Sequence, residues 1–213
     1  KDTVGEIGNI SMGTAATTLF ALLGQKVTIT TPKVSQSSLK DLNNRFSDPC
    51  VTISIGYKTG LEGTNLLIIN EKDVKIITDL MMGGDGSNSD GELTELHLSA
   101  ICEAMNQMIG SASTSMSELV GSKVDIEPPQ AFYDSLDNLT EDKIGLNPEQ
   151  NLAIIAFRMT VGSLIDSEIM QIMPIDMAKS LSGLLNTDYN SDPVEEYKAP
   201  ATSTQTHTRE PER

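Results

Sequence analysis

The sequence predicts an α+β fold: a pseudo-two-fold duplication of a helix–strand–strand–strand–helix unit, its six strands forming a largely antiparallel sheet packed with long helices. Three observations predict it. The first is an internal repeat. Sliding the chain by 97 residues sets Glu6 on Glu103, Asn9 on Asn106, Gly13 on Gly110, Gly24 on Gly121, Lys26-Val27 on Lys123-Val124, Ile29 on Ile126 and Pro32 on Pro129, without a gap. That period is far too long for a solenoid and reads as one half-domain copied once. The second is a long stretch of helical periodicity opening each copy and closed by glycine. The third is a pair of β-branched, strand-like runs later in each copy, followed by a shorter helical stretch.

Residues 1–24 read as a helix ended by Gly24, and its pattern starts inside a first turn, so the helix is expected to begin before Lys1. Residues 26–31 alternate and are β-branched, which predicts a strand closed by Pro32. The polar stretch 33–48 reads as loop with a short helix around Ser37–Asn44. Strands are predicted at 50–58 and 61–70 around a turn at Gly60, then a helix over 71–82 ending at Gly83-Gly84. The stretch 83–92 reads as a linker between halves at 1–84 and 93–187. Its Asp, Asn and Ser content faintly suggests a calcium loop, but the glycine and glutamate do not fall at the sixth and twelfth positions such a loop needs. The second copy repeats the helix at 93–121 and the strand at 123–128. After a longer excursion come strands at 151–160 and 163–172, and a helix with Pro174 in its first turn running to Leu185. Residues 1–187 form the expected domain. From 188 to 213 the composition turns to Asp, Pro, Glu, Thr and Ser without periodicity, which predicts a disordered linker or tail.

The composition excludes several function classes. A net charge of −15 argues against nucleic-acid binding, which needs a basic surface for the phosphates. No apolar run approaches the roughly 18 residues of a membrane span. Cys50 and Cys102 are too few for a disulfide framework and suit packing in a reducing cytoplasm. The two histidines, His97 and His207, carry no metal-ligand spacing, and neither sits in a pattern that suggests a Ser-His-Asp triad.

Residues spaced by three and four share a helical face. Asp2, Glu6, Asn9 and Gly13 therefore form one stripe, and Ser99, Glu103, Asn106 and Gly110 form its counterpart. The opposite stripe, Val4, Ile7, Ser11, Ala15 and Leu22 in one copy and Ile101, Ala104, Met108, Ala112 and Leu119 in the other, is the one expected to be buried. A lone Glu-x-x-Asn on a solvated face is ordinary. Its recurrence in both copies singles it out, because other surface positions differ, as Thr3/Ala100, Gln25/Ser122 and Thr28/Asp125 do. A glycine in a helix interior costs roughly 1 kcal/mol relative to alanine; a larger residue at either position would block a partner's approach.

The pattern Asp/Ser-x-x-x-Glu-x-x-Asn, with a proline 23 residues after the asparagine, occurs as Asp2-Glu6-Asn9-Pro32 and as Ser99-Glu103-Asn106-Pro129. With it stand Gly-Glu-Ile-Gly-Asn-Ile-Ser-Met-Gly-Thr-Ala-Ala-Thr-Thr-Leu at 5–19, Thr-Thr-Pro-Lys-Val-Ser at 30–35 and Leu-Met-Met-Gly-Gly-Asp-Gly at 80–86. In these residues the chain resembles the CheC/CheX/FliY phosphatases, and most of all their flagellar-switch branch. The resemblance covers roughly residues 1–187. It implies the same fold and hydrolysis of the aspartyl phosphate of the chemotaxis response regulator CheY. It also implies a catalytic middle domain, with a CheY-binding segment before it and a further switch domain after it in the family.

The implied roles follow residue by residue. Asn9 and Asn106 would position the attacking water, a task an amide suits because it is neutral and both donates and accepts. Glu6 and Glu103 would engage the active-site lysine of CheY. Asp2 and Ser99 would support them, Gly13 and Gly110 would leave room, and Pro32 and Pro129 would shape the chain after each first strand. The resemblance implies no cofactor bound by this chain, with Mg²⁺ supplied by CheY. It also implies switch partners of the FliM, FliG and FliN type, CheD as a further partner, and a cytoplasmic location at the flagellar basal-body switch complex. Two alternatives stay open: a stand-alone CheC-type phosphatase regulated by CheD, and a non-catalytic FliM-like scaffold. The Glu/Asn pair, absent from FliM, favours the phosphatase.

Overall fold

The computed structural model describes residues 3–30, 33–43, 49–60, 63–121 and 123–184, with the side chains of residues 3–12, 43, 119, 120, 137 and 181–184 left outside that description. Asp2, Pro32 and the tail predicted at 188–213 therefore lie outside the described residues.

The long helix of each copy is present, as α1 (Thr3–Leu23) and α4 (Glu95–Val120). Gly121, at φ 66°, ends α4 in the left-handed conformation that glycine adopts without strain. The central hairpins are β3 (Cys50–Thr59) with β4 (Thr64–Asn70), and β7 (Leu152–Val161) with β8 (Ile165–Pro174). Helix α3 (Glu71–Met81) follows the first hairpin and α6 (Ile175–Leu184) the second. Asn70 caps α3, its side chain accepting the Asp73 N–H at 2.8 Å. Pro174 pairs with Leu152 as the last residue of β8, so it precedes α6 and does not lie in its first turn.

The sheet is six positions wide, as the sequence predicts, but holds eight strands. Each edge position is split in two. β1 (Val27–Ile29) and β2 (Lys33–Ser37) both pair with β7, and β5 (Asp125–Ile126) and β6 (Gln130–Asp134) both pair with β3. The break between β5 and β6 falls at Pro128-Pro129. A proline cannot donate to the ladder, so the edge strand stops there and resumes beyond. Short length, and in β2 a mostly polar sequence, disguise the resumed strands as loop or excursion. All the pairings described are antiparallel, and the order runs from the β1/β2 edge through β7, β8, β4 and β3 to the β5/β6 edge.

The duplication is legible in the register. Lys33–Ser37 falls on Gln130–Asp134 at the same 97-residue offset as the motifs. Cys50 of β3 faces Asp134, and its counterpart Leu152 of β7 faces Ser37, the residue equivalent to Asp134. The edge strands are thus exchanged: the first copy's β1 and β2 complete the second copy's hairpin, and the reverse. β4 and β8 meet at the centre, Leu67 opposite Gln171.

The strands' period of two sends alternate residues to opposite faces. One face carries Val51, Ile53, Ile55, Leu67, Ile69, Met159 and Val161 against α1, α3 and α4. The other carries Leu66, Ile68, Leu152, Ile154 and Ile172 against a third layer of short segments, α2 (Leu39–Asn43), a 3-10 turn (Leu136–Asn138) and α5 (Glu141–Ile144). In that third layer α2 matches the short helix read around Ser37–Asn44, while the 3-10 turn and α5 lie within the stretch read as a longer excursion. The segment after Met81 is fixed to the domain: the Asp79 carboxylate accepts the Gly86 N–H at 2.8 Å, and the Lys75 ammonium bonds both Glu71 and the Gly91 carbonyl.

Candidate functional site

Helices α1 and α4 pack side by side and present the two motif stripes. Their seam is made of small residues and hydroxyls. Thr18 Oγ1 lies 2.7 Å from Ser111 Oγ, and Ser115 Oγ donates to Thr14 Oγ1 at 3.0 Å. Residue numbers rise along one helix as they fall along the other, so the helices run antiparallel. On α1 the buried side is Ala15, Leu19 and Leu23, with Leu22 half-buried beside it. On α4 it is Ile101, Ala104, Met105, Met108, Ile109, Ala112 and Ser113. The expected stripe is therefore wider, because each helix packs on its partner and on the sheet at once.

The helical spacing puts each motif stripe on the side of its helix away from the seam. In the second copy Ser99 and Glu103 are exposed, and Asn106, Gly110 and Pro129 are half-buried. Pro129 sits between β5 and β6. Among the described residues no hydrogen bond engages the Asn106 amide. Glu103 Oε1 accepts a hydrogen bond from Gln107 Nε2 at 2.6 Å. In the first copy Glu6 and Asn9 take the corresponding positions along α1, with their side chains outside the description, and Gly13 is exposed.

The two glycines are informative. A Cβ built at Gly13 or Gly110 meets nothing within 4 Å, and neither residue has the positive φ that demands glycine. Nothing in the described chain requires glycine at either place. The next turn repeats as well: Thr17 donates to the Gly13 carbonyl at 2.8 Å and Thr114 to the Gly110 carbonyl at 3.0 Å.

Other groups fall into structural roles. The His97 ring caps the start of α4, Nδ1 accepting the Thr94 N–H at 3.0 Å. Burial pushes the thiols of Cys50 and Cys102 up. Among the described residues no three His, Cys, Asp or Glu side chains converge on a metal-sized site, and no helix is long and apolar enough to cross a membrane.

Three residues on the motif faces escape motif reading. Gln107 is one, for its bond to Glu103. Phe20 and Leu96 are the others, large apolar side chains left 52% and 58% exposed. The signal for both was spacing: Phe20 continues the line through Gly13 and Thr17, and Leu96 precedes Ser99 and Glu103 by three and seven residues.

The comparisons with known proteins agree with the geometry. The model of the CheC-like family matches residues 1–35 and 96–133, the two motif helices with their first strands. The flagellar motor switch phosphatase FliY of Bacillus subtilis (strain 168) is 47% identical over 191 residues, covering 88% of this chain and 50% of that protein. The chain thus spans about half the length of that relative. The crystal structure of Thermotoga maritima FliY superposes with a TM-score of 0.77 at 43% identity, covering 87% of this chain and 94% of that one. The FliM middle domain of Vibrio alginolyticus shares the fold, with a TM-score of 0.66 at 16% identity over 85% of this chain and 99% of that one. Identity of this level across nearly all of the Thermotoga FliY chain, with the family model falling on both copies of the motif, makes this chain a member of the CheC-like family, in its FliY group.

Proposed function

We propose that this domain hydrolyses the aspartyl phosphate of the response regulator CheY at the flagellar motor switch, through two duplicated sites on α1 and α4. The observation that carries the reading is the Glu-x-x-Asn pair, repeated at equivalent positions and followed in each copy by a helix-interior glycine over open space. The phosphatase named among its relatives supports the activity.

An acyl phosphate is already activated, so the enzyme's task is positioning and charge stabilisation. Asn9 or Asn106 holds a water in line with the breaking bond. The water oxygen attacks phosphorus, and the acyl P–O bond breaks with its electron pair returning to the aspartate. The water's proton passes to the departing phosphate. A carboxylate in place of the amide would repel the phosphoryl oxygens. Glu6 or Glu103 pairs with the active-site lysine of CheY and sets the two proteins in register. Magnesium enters with CheY as part of the substrate complex. Switch proteins of the FliM, FliG and FliN type, and CheD, are the further partners this reading implies. It places the protein on the cytoplasmic side of the motor.

The test is single-turnover decay of phosphorylated CheY at saturating enzyme. Asn9→Ala and Asn106→Ala each leave partial activity. The double variant falls to the intrinsic decay rate while still binding. Well-oriented reactants gain roughly 7–11 kcal/mol in the best cases; one amide holding one water supplies a fraction of that, about ten- to a thousandfold per site. Full activity in the double variant would refute the reading and favour a FliM-like scaffold.

A further inference from the structure

We infer that Gln107 is a positioning residue of the second site: it holds Glu103 and adds its own amide oxygen as a second acceptor for the cationic side chain of the substrate protein. This rests on the functional reading above. Helical side chains lean toward the N-terminus, so Gln107 reaches back over the turn to Glu103. Its Nε2 donates to Glu103 Oε1 at 2.6 Å, and both residues are exposed. One carboxylate oxygen is thereby fixed and the other is left for an incoming donor. An amide that donates through its nitrogen still carries a carbonyl oxygen with two lone pairs. An ammonium has three donors and no acceptor, so a carboxylate with a neighbouring amide carbonyl matches it better than a carboxylate alone. Holding Glu103 in one rotamer also lowers the ordering cost of association.

The first copy differs in sequence at this position. At the 97-residue offset, position 107 falls on Ile10, which neither donates nor accepts through its side chain. On this inference the Gln107/Ile10 difference makes the second site the one that captures substrate at lower concentration.

The experiment isolates the second site with Asn9→Ala in the full chain and measures KM and kcat for phosphorylated CheY alongside thermal stability. Gln107→Ile raises KM about two- to fivefold with kcat unchanged. Gln107→Lys is the sharper variant. A lysine four residues after a glutamate pairs with it and supports the helix, so stability holds or rises while KM climbs further, because the new ammonium occupies the substrate cation's place. With the first site isolated by Asn106→Ala, Ile10→Gln lowers KM. An unchanged KM in Gln107→Ile, a harmless Gln107→Lys, or an effect confined to kcat overturns the inference and leaves the phosphatase reading intact. An inactive Asn9→Ala parent overturns the second site itself and this inference with it.

Discussion

Thr18 of α1 and Ser111 of α4 share a hydrogen bond of 2.7 Å, and their counterparts across the pseudo-two-fold, Ser115 and Thr14, share one of 3.0 Å. The offset of 97 residues carries Thr14 onto Ser111 and Thr18 onto Ser115. The duplication thus reaches individual hydroxyl groups at the seam between the motif helices. Small side chains bring the backbones close, and the half-buried hydroxyls satisfy one another across the seam.

Removing one partner breaks the cross-helix bond and leaves the other hydroxyl only its own-helix carbonyl, that of Thr14 for Thr18 or of Met108 for Ser111. Thr18→Ala and Ser111→Ala each lower stability by about 1 kcal/mol, and the double variant costs less than the two singles added. Chemical denaturation of the four proteins measures the coupling. The motif stripes face away from the seam, so kcat changes little while stability falls.

Gly110→Ala separates stability from function in the opposite sense. The helix interior gains up to about 1 kcal/mol from the substitution, because the new methyl meets nothing within 4 Å. The same methyl stands one turn beyond Asn106, on the face where the proposed function has CheY approach. Thermal stability rises and KM for phosphorylated CheY rises with it. A stabilised variant with unaltered KM would show that the glycine leaves no partner any room.

How much of this was legible in the sequence depends on what kind of signal each residue sends. The motif helices and hairpins announce themselves through periodicity and repetition. β2 and β6 do not, because both are only five residues long and Lys33–Ser37 is mostly polar, and they become strands only when β7 and β3 offer them ladders. The exchange of edge strands between copies is invisible for the same reason. Within the second site, Ser99, Glu103, Asn106 and Gly110 could be placed on one face by counting. The Gln107–Glu103 bond could not, since an i,i+4 pair of this kind is common and only side-chain geometry says that it forms. Tyr133 and Glu71 lie 62 residues apart, and only the fold brings them together.

That contact predicts a pH dependence. The Tyr133 hydroxyl donates to the Glu71 carboxylate, which pushes the Tyr133 phenol up to about 12. Glu71 is held below its usual value, first by Lys75 and then by Tyr133. A phenol ionises near 10 when unfolded. Between about 10 and 12 the folded state therefore keeps a proton that the unfolded state has lost. The contribution of Tyr133 to stability is complete below pH 10 and is lost as pH rises toward 12. Glu71→Gln lowers the phenol's midpoint toward 10 and shrinks that alkaline loss. An ultraviolet absorbance titration of the parent and Glu71→Gln, each referenced to its Tyr133→Phe version, reads the shift. A midpoint unmoved by Glu71→Gln would place its cause elsewhere.

The last prediction tests whether the glutamates recognise charge or merely occupy surface. Glu103 is exposed on a helix whose opposite side carries the packing, so reversing its charge leaves the fold within about 0.5 kcal/mol of the parent. On the proposed function, Glu103→Lys sets an ammonium against the lysine of CheY, and capture at the second site fails by repulsion. Glu6→Lys does the same at the first. Each single reversal leaves the other site, so half of the CheY-binding capacity survives, and the double reversal removes it. Glu103→Gln is the milder control: it keeps size and a hydrogen-bond acceptor while losing the charge, and its KM falls between those of the parent and the reversal. Titration of phosphorylated CheY against each variant, with thermal melts alongside, separates the cases. A collapse of the melting temperature in Glu103→Lys would assign the residue to the fold, and undiminished capture in the double reversal would remove both glutamates from recognition.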